Sequence, residues 1–387
     1  MTILKGAAKM IYRDFQGMKL SALGLGAMRL PVIDGDDARI DEAAALHMVD
    51  IAMENGINYY DTAWGYHGEN SETVMGKALA RYPRDQFHIA TKFPGYDASL
   101  WGKVEEIFNR QLEKLQVDYF DFYLFHNVCE MNIDAYLDDE KYGIYSYLIE
   151  QKKNGRIRHL GFSCHGSMEV LKRFLDAYGK DMEFCQIQLN YLDWTFQDAK
   201  EKVKLISEYN IPVWVMEPLR DGKLAKLDPA YEAELKELRP DEEIPAWAFR
   251  FLQSVPEVTM ILSGMSNEEQ LVKNLKTFEE DKKLNEKEMD ILLGIADKML
   301  SVGMVPCTAC HYCVSHCPKG INIPWMIELY NEHIYTGGGF IAPMALMAVD
   351  EDKKPQACLK CRSCEKVCPQ QIKISEVLAD LAVKATW

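Results

Sequence analysis

The chain has 387 residues, 48% hydrophobic and 27% charged, the proportions of a well-packed globular protein too long for one average domain. Forty-four Lys and Arg stand against 59 Asp and Glu, a formal charge of −15. That excludes nucleic acid and anionic membrane as partners, because no basic surplus remains to neutralise phosphates. The opening residues lack the apolar core of a signal peptide, and no uninterrupted apolar run reaches about eighteen residues, so the expected location is the cytoplasm.

Short apolar runs at 20–26, 57–60, 87–91, 119–125, 157–162, 184–189, 211–216 and 259–262 read as strands. A helical pattern follows each, at 41–55, 71–82, 100–115, 145–153, 168–178, 197–209, 245–253 and 267–278. The strands are continuously apolar, as parallel strands buried on both faces are. Eight such units predict an α/β architecture, a closed (β/α)8 TIM barrel, whose typical size is about 250 residues. An open doubly wound sheet is disfavoured. Gly24 and Gly26 begin a glycine fingerprint, but Arg29 stands where its third glycine belongs. Beyond the barrel, 285–300 reads as one more amphipathic helix. A second helical stretch follows at 323–335, a break at Gly337–Gly339, and a short apolar piece at 341–349.

In such a barrel the strand ends meet at one mouth. The polar residues there are Asp61, Lys92, His126, Ser163, Gln188, Glu217 and Ser263, with Tyr66 on the loop after Asp61. An acid, a lysine, a tyrosine and a histidine make one device. The ammonium favours phenolate, the carboxylate holds the ammonium, and the imidazole orients a carbonyl oxygen while the phenol protonates it. Read with Asn58, Trp64, Thr91, the Gly155–Arg158 turn, Gly161, Phe162, Pro218 and Leu219, the set resembles the aldo-keto reductase superfamily in order and spacing over about residues 10–280. The resemblance implies Tyr66 as general acid, Lys92 and Asp61 as its tuning pair and His126 as substrate orienter. It also implies NADP or NAD lying across the mouth, with contacts at Gly26, Asp61, Ser163, Gln188, Pro218, Leu219, Gly264, Gln270 and Asn274. Two residues depart from that pattern. Cys164 stands where an asparagine usually holds the carboxamide, and Met216 where an aromatic ring often stacks on the nicotinamide. Arg220, Lys223 and Lys273 are the cations that could meet a 2′-phosphate.

Eight of the eleven cysteines form two runs of C-x2-C-x2-C-x3-C-P. They are Cys307, Cys310, Cys313 and Cys317, then Cys358, Cys361, Cys364 and Cys368. This is the bacterial-type spacing for [4Fe–4S] clusters; structural zinc prefers paired cysteines. The remaining Cys129, Cys164 and Cys185 read as buried thiols. The runs resemble a bacterial 2[4Fe–4S] ferredoxin with a longer helical insertion. That implies one cluster on Cys307, Cys310, Cys313 and Cys368, and another on Cys358, Cys361, Cys364 and Cys317. The expected organisation is a barrel over 1–283, a connecting helix over 284–303, and a small, mostly helical, ferredoxin-like iron–sulfur domain over 304–387.

The expected function is an oxidoreductase that reduces a small carbonyl, or oxidises an alcohol, with NAD(P)(H). Its clusters would exchange electrons with a ferredoxin or flavoprotein. Nicotinamide moves two electrons together as hydride, whereas each cluster moves one. Two alternatives follow: a one-electron reductase whose barrel no longer uses nicotinamide, and an electron-transfer module with the barrel as scaffold.

Overall fold

A computed structural model describes residues 9–301, 303–307, 311, 313–368 and 370–385, so Cys310 and Pro369 lie outside the described residues. The chain divides into two compact units, Met1–Ile295 and Ala296–Trp387.

In the first unit β1 (Tyr12–Phe15) and β2 (Met18–Ser21) form an antiparallel hairpin. The eight strands that follow close into a parallel barrel: β3 (Leu23–Gly26), β4 (Tyr59–Asp61), β5 (His88–Phe93), β6 (Phe120–Val128), β7 (Ile157–Cys164), β8 (Cys185–Gln188), β9 (Val213–Met216) and β10 (Val258–Gly264). Each pairs with the next, and β10 returns to β3 with Ile261 opposite Leu23 and Gly264 opposite Gly26. The expected strand at 20–26 is two elements, because the chain turns a corner at Ala22. Ser21 Oγ donates to the Leu23 carbonyl at 2.8 Å, and the Asn58 side chain accepts from Ser21 N at 2.8 Å.

The hairpin closes the N-terminal end of the barrel. Phe15 and Leu20 pack against Tyr59, Phe122, Phe184, Trp214 and Met260, which lie near the strand starts. The Phe15 ring meets Trp214 edge-on at 5.0 Å. Chemistry is thereby left to the opposite end, where the strands finish. The helix Pro229–Leu238 and the short helices Ile133–Leu137 and Asp139–Tyr142 have no counterpart in the sequence reading. Pro229–Leu238 buries only Leu235, so it offers no apolar stripe.

The second unit is helical, with Ile323–Thr336, Ile341–Met347, Ser363–Lys366 and Ile374–Lys384. Ile321, Met326, Ile327, Leu378 and Leu381 make its core, in which Cys313 and Cys364 are buried and against which Cys307, Cys317, Cys358 and Cys368 pack. Gly337, in left-handed backbone at φ 68°, ends the first of these helices where the glycines predict a break. Among the described residues no helix is long and apolar enough to cross a membrane.

Candidate active site

Asp61 ends β4, Lys92 lies near the end of β5 and His126 near the end of β6, so adjacent strands deliver all three to the mouth. Tyr66 comes from the loop after β4. Lys92 Nζ donates to Asp61 Oδ1 at 2.6 Å and to the Thr62 carbonyl at 2.7 Å, and neither Lys92 nor Asp61 reaches solvent appreciably. The same Nζ lies 5.0 Å from the centre of the Tyr66 ring. His126 stands edge-on between two tyrosines, 6.0 Å from Tyr66 and 5.3 Å from Tyr96. The four expected residues come together. Tyr96, which no motif marks, joins them, and Gly65 leaves it room, since a Cβ there would lie 2.3 Å from the Tyr96 hydroxyl.

Electrostatics sets the protonation states. Burial raises the Tyr66 pKa, and the charge of Lys92 and a hydrogen bond from it lower it; burial wins, so the net direction is up. This differs from the lowering that the sequence predicts. Part of the Lys92 charge is already matched by Asp61, while desolvating the phenolate is opposed by little else. Burial lowers the Lys92 pKa, but Asp61 and Tyr66 together raise it further, and it stays an ammonium. Burial pushes the Asp61 carboxyl up against the pull of Lys92. At 2.6 Å the proton belongs on the amine, the stronger base by about six units in water. Burial, then Lys92, holds His126 well below 6.5, so its imidazole is neutral.

A cleft of about 310 Å³ opens beside this group. Of the residues that the resemblance assigns to the cofactor, Gly26, Asp61, Pro218, Leu219, Gly264, Gln270 and Asn274 line it. Ser163 and Gln188 do not. Ser163 Oγ accepts from Asn127 N at 2.8 Å, and Gln188 Nε2 donates to Asp193 Oδ2 at 2.8 Å. Gln186 lines the cleft instead, and its buried Oε1 has no hydrogen-bond partner among the described residues. An amide there fits a carboxamide group, the donor–acceptor pair it complements. Met216 also lines the cleft. Cys164 is buried, and burial pushes its thiol up to about 11; Cys129 and Cys185 are buried as well.

The cations near the cleft are engaged. Arg29 pairs with Asp221, and Lys273 with Glu269 at 3.0 Å. Arg220 does not line the cleft; its Nε reaches the two Asp193 oxygens at 2.9 and 3.1 Å, with both side chains buried. Asn267 caps the helix Glu268–Thr277 at the far end of the cleft, accepting from Gln270 N at 3.0 Å.

In the second unit the thiols gather around one apolar core. Burial raises the Cys364 thiol to about 11, and the charges of Cys358 and Cys317 also reach it. Cys317 of the first run thus lies near Cys364 of the second, as ligands shared between the runs would. Among the described residues no three His, Cys, Asp or Glu side chains converge tightly enough for a single ion.

A model of the aldo/keto reductase family matches residues 22–297, and a model of the 4Fe-4S dicluster domain matches residues 303–372. The chain is similar to "Probable aldo-keto reductase 1" of Glycine max, 28% identical over 215 residues that cover 54% of this chain and 58% of that one. It is also similar to the "NADH-specific methylglyoxal reductase" of Escherichia coli (strain K12), 27% identical over 229 residues, 53% of this chain and 65% of that one. It therefore spans less than two thirds of either relative. Among solved structures, the holo form of aldo-keto reductase AKR11C1 from Bacillus halodurans superposes with a TM-score of 0.61 at 26% identity, covering 74% of this chain and 96% of that one.

Proposed function

The chain is an oxidoreductase of the aldo/keto reductase family joined to a 4Fe-4S dicluster domain, and from that premise we propose that it reduces a small carbonyl compound with NADH. Its two [4Fe–4S] clusters exchange electrons with a one-electron carrier. The observation that carries the reading is the buried Lys92–Asp61 pair set against Tyr66, with neutral His126 beside it.

Bound nicotinamide supplies the hydride. The chain's own residues do the rest. His126 presents a neutral N–H to the carbonyl oxygen, and its other ring nitrogen keeps no charge that would compete. Tyr66 gives its hydroxyl proton to that oxygen as hydride arrives at carbon, so one hydride and one proton turn the carbonyl into an alcohol. Lys92 stabilises the phenolate left on Tyr66, and Asp61 keeps Lys92 charged and in place. Gln186 and the loop Pro218–Leu219 orient the cofactor, and Met216 gives it an apolar bed. NADH is favoured over NADPH because Arg220 is drawn into the buried Asp193 and Glu268 and Glu269 put negative charge beside Gln270; the exposed pairs of Arg29 and Lys273 are weak and do not decide the choice.

Replacing Tyr66 by Phe is expected to lower kcat for carbonyl reduction by about 10²–10⁴-fold with NADH affinity unchanged. Unchanged turnover in that variant removes Tyr66 as the acid. Cys164 and Met216 favour a second reading, in which the barrel does not use nicotinamide and the clusters deliver electrons singly. Anaerobic NADH titration decides between them: the proposal requires NADH to bind and to support turnover.

A further inference from the structure

Of the ten described cysteines Cys361 alone is exposed. Its neighbours form an unusual collar. Leu359 is 61% exposed, and Lys360, Arg362, Lys366 and Lys373 all face solvent. Lys360 and Arg362 flank the thiol in left-handed backbone at φ 54° and 57°, so the loop turns sharply on both sides of it. The charge of the collar runs against the chain. Lys360, Arg362, Lys366 and Lys373 stand against two acids, Glu365 and Glu376, in a chain that as a whole holds 44 Lys and Arg against 59 Asp and Glu. Arg362 lies 3.9 Å from Glu365 and from Glu376, and Lys373 lies 3.9 Å from Glu376. Such long, exposed contacts hold little energy. Lys360 and Lys366 are exposed.

We propose that the loop Cys358–Ser363, with Lys366 and Lys373, is the docking surface for an acidic one-electron carrier protein of the ferredoxin class, seated over Cys361. The inference rests on the reading that the clusters transfer electrons, and adds where they enter and what the partner's face is like. An exposed apolar residue inside a cationic rim is the anatomy of a small transient contact. At physiological salt, charges farther than about 8 Å are largely screened, so the collar and not the chain's total charge governs the last approach. An acidic carrier is repelled over most of this chain and accepted where the sign inverts, which fixes its orientation. In the encounter the reduced carrier would lose one electron and the cluster that Cys361 would help to hold would gain it, with no bond made and no proton moved.

The competing role for these cations is to offset the thiolate charge of the cluster itself. The test uses the intact protein with its clusters, mixed anaerobically in a stopped-flow instrument with a reduced, strongly acidic [2Fe–2S] ferredoxin or with titanium(III) citrate. The variant is Lys360→Asn with Arg362→Asn, since Asn accepts left-handed backbone; Leu359→Ser is the second. In the wild type, cluster bleaching by ferredoxin is expected to slow as salt rises. The double variant is expected to react about tenfold more slowly with ferredoxin at low salt, to lose the salt dependence, and to bind ferredoxin more weakly by calorimetry. Its rate with titanium(III) citrate and its cluster midpoint potentials are expected to stay put. An unchanged ferredoxin rate in both variants places docking elsewhere and overturns the proposal. So does equal slowing with both reductants, or a shifted midpoint potential, because the cations then serve the cluster. If titanium(III) citrate leaves the wild-type clusters oxidised, the electron-transfer reading itself fails.

Discussion

Tyr66 keeps its proton because burial outweighs the pull of Lys92, and the same burial keeps His126 neutral. Both shifts move a titration away from neutrality. The phenol, raised above 10, is the acid form through neutral and mildly alkaline pH; the imidazole, lowered below 6.5, is uncharged above that value. Lys92, raised, stays an ammonium throughout. No member of the set changes charge between about pH 6.5 and about pH 9.5, so kcat for carbonyl reduction at saturating NADH is expected to be flat across that span. It should fall above about pH 10, as Tyr66 loses the proton it must give. A descending limb near pH 7–8 in measured kcat profiles would show that some other group is the acid. Tyr66, Lys92, Asp61 and His126 were legible in the sequence because each sits at or just past a strand end, where spacing reveals position. Gln186 was not. It shares one face of β8 with Gln188, two residues on, and the period of a strand cannot tell a residue at the cleft from the next one toward the rim. What separates them is Asp193, which takes up the Gln188 amide.

Asp193 also joins two loops. It accepts from Asn190 Nδ2 at 2.7 Å as well as from Gln188 and Arg220, and Asn190 donates to the Glu217 carbonyl at 3.0 Å. The loop after β9 is thereby tied to the loop after β8, although Glu217, Arg220 and Asp221 all hold positive φ, at 55°, 46° and 53°. Non-glycine residues keep such backbone only when their surroundings enforce it. Asp193→Asn removes the buried carboxylate that accepts from Arg220 Nε, and is expected to lower unfolding free energy by about 3–5 kcal/mol. It should also weaken NADH binding, since Glu217, Pro218 and Leu219 line the cleft. Arg220→Lys keeps the charge but not the planar fork, and is expected to cost less on both counts. Denaturant midpoints and NADH fluorescence titration measure the two effects. At this scale the sequence was informative where apolar runs were continuous and silent where contacts span distance. The eight barrel strands follow from the positions of those runs, except that the first run divides at Ala22. The β1–β2 hairpin does not, because three of its eight residues are buried and its partners lie across the barrel. The Asp193–Arg220 pair joins residues 27 apart on different loops, beyond any local periodicity.

The two units rest on different kinds of cohesion. The barrel has a dense aromatic interior that owes nothing to metal. The core of the second unit is built partly from the thiols of the cysteine runs, and a small fold whose ligands form its core draws stability from the metal they bind. Removing iron with a chelator is therefore expected to abolish the second unit's transition in scanning calorimetry and leave the barrel's in place; a single transition that shifts as a whole would contradict this. Closure of the barrel also imposes an order in time. β3 has its neighbour in β10, so the sheet stays open at one seam until residues 258–264 have been made. Everything from Ala296 onward, the whole second unit, is synthesised after that seam can shut. At about 5–20 residues per second, that stretch takes roughly 5–20 s to emerge. During this interval the nascent chain can carry a closed barrel, with Asp61, Lys92 and His126 already on paired strands, ahead of a growing string of cysteine thiols.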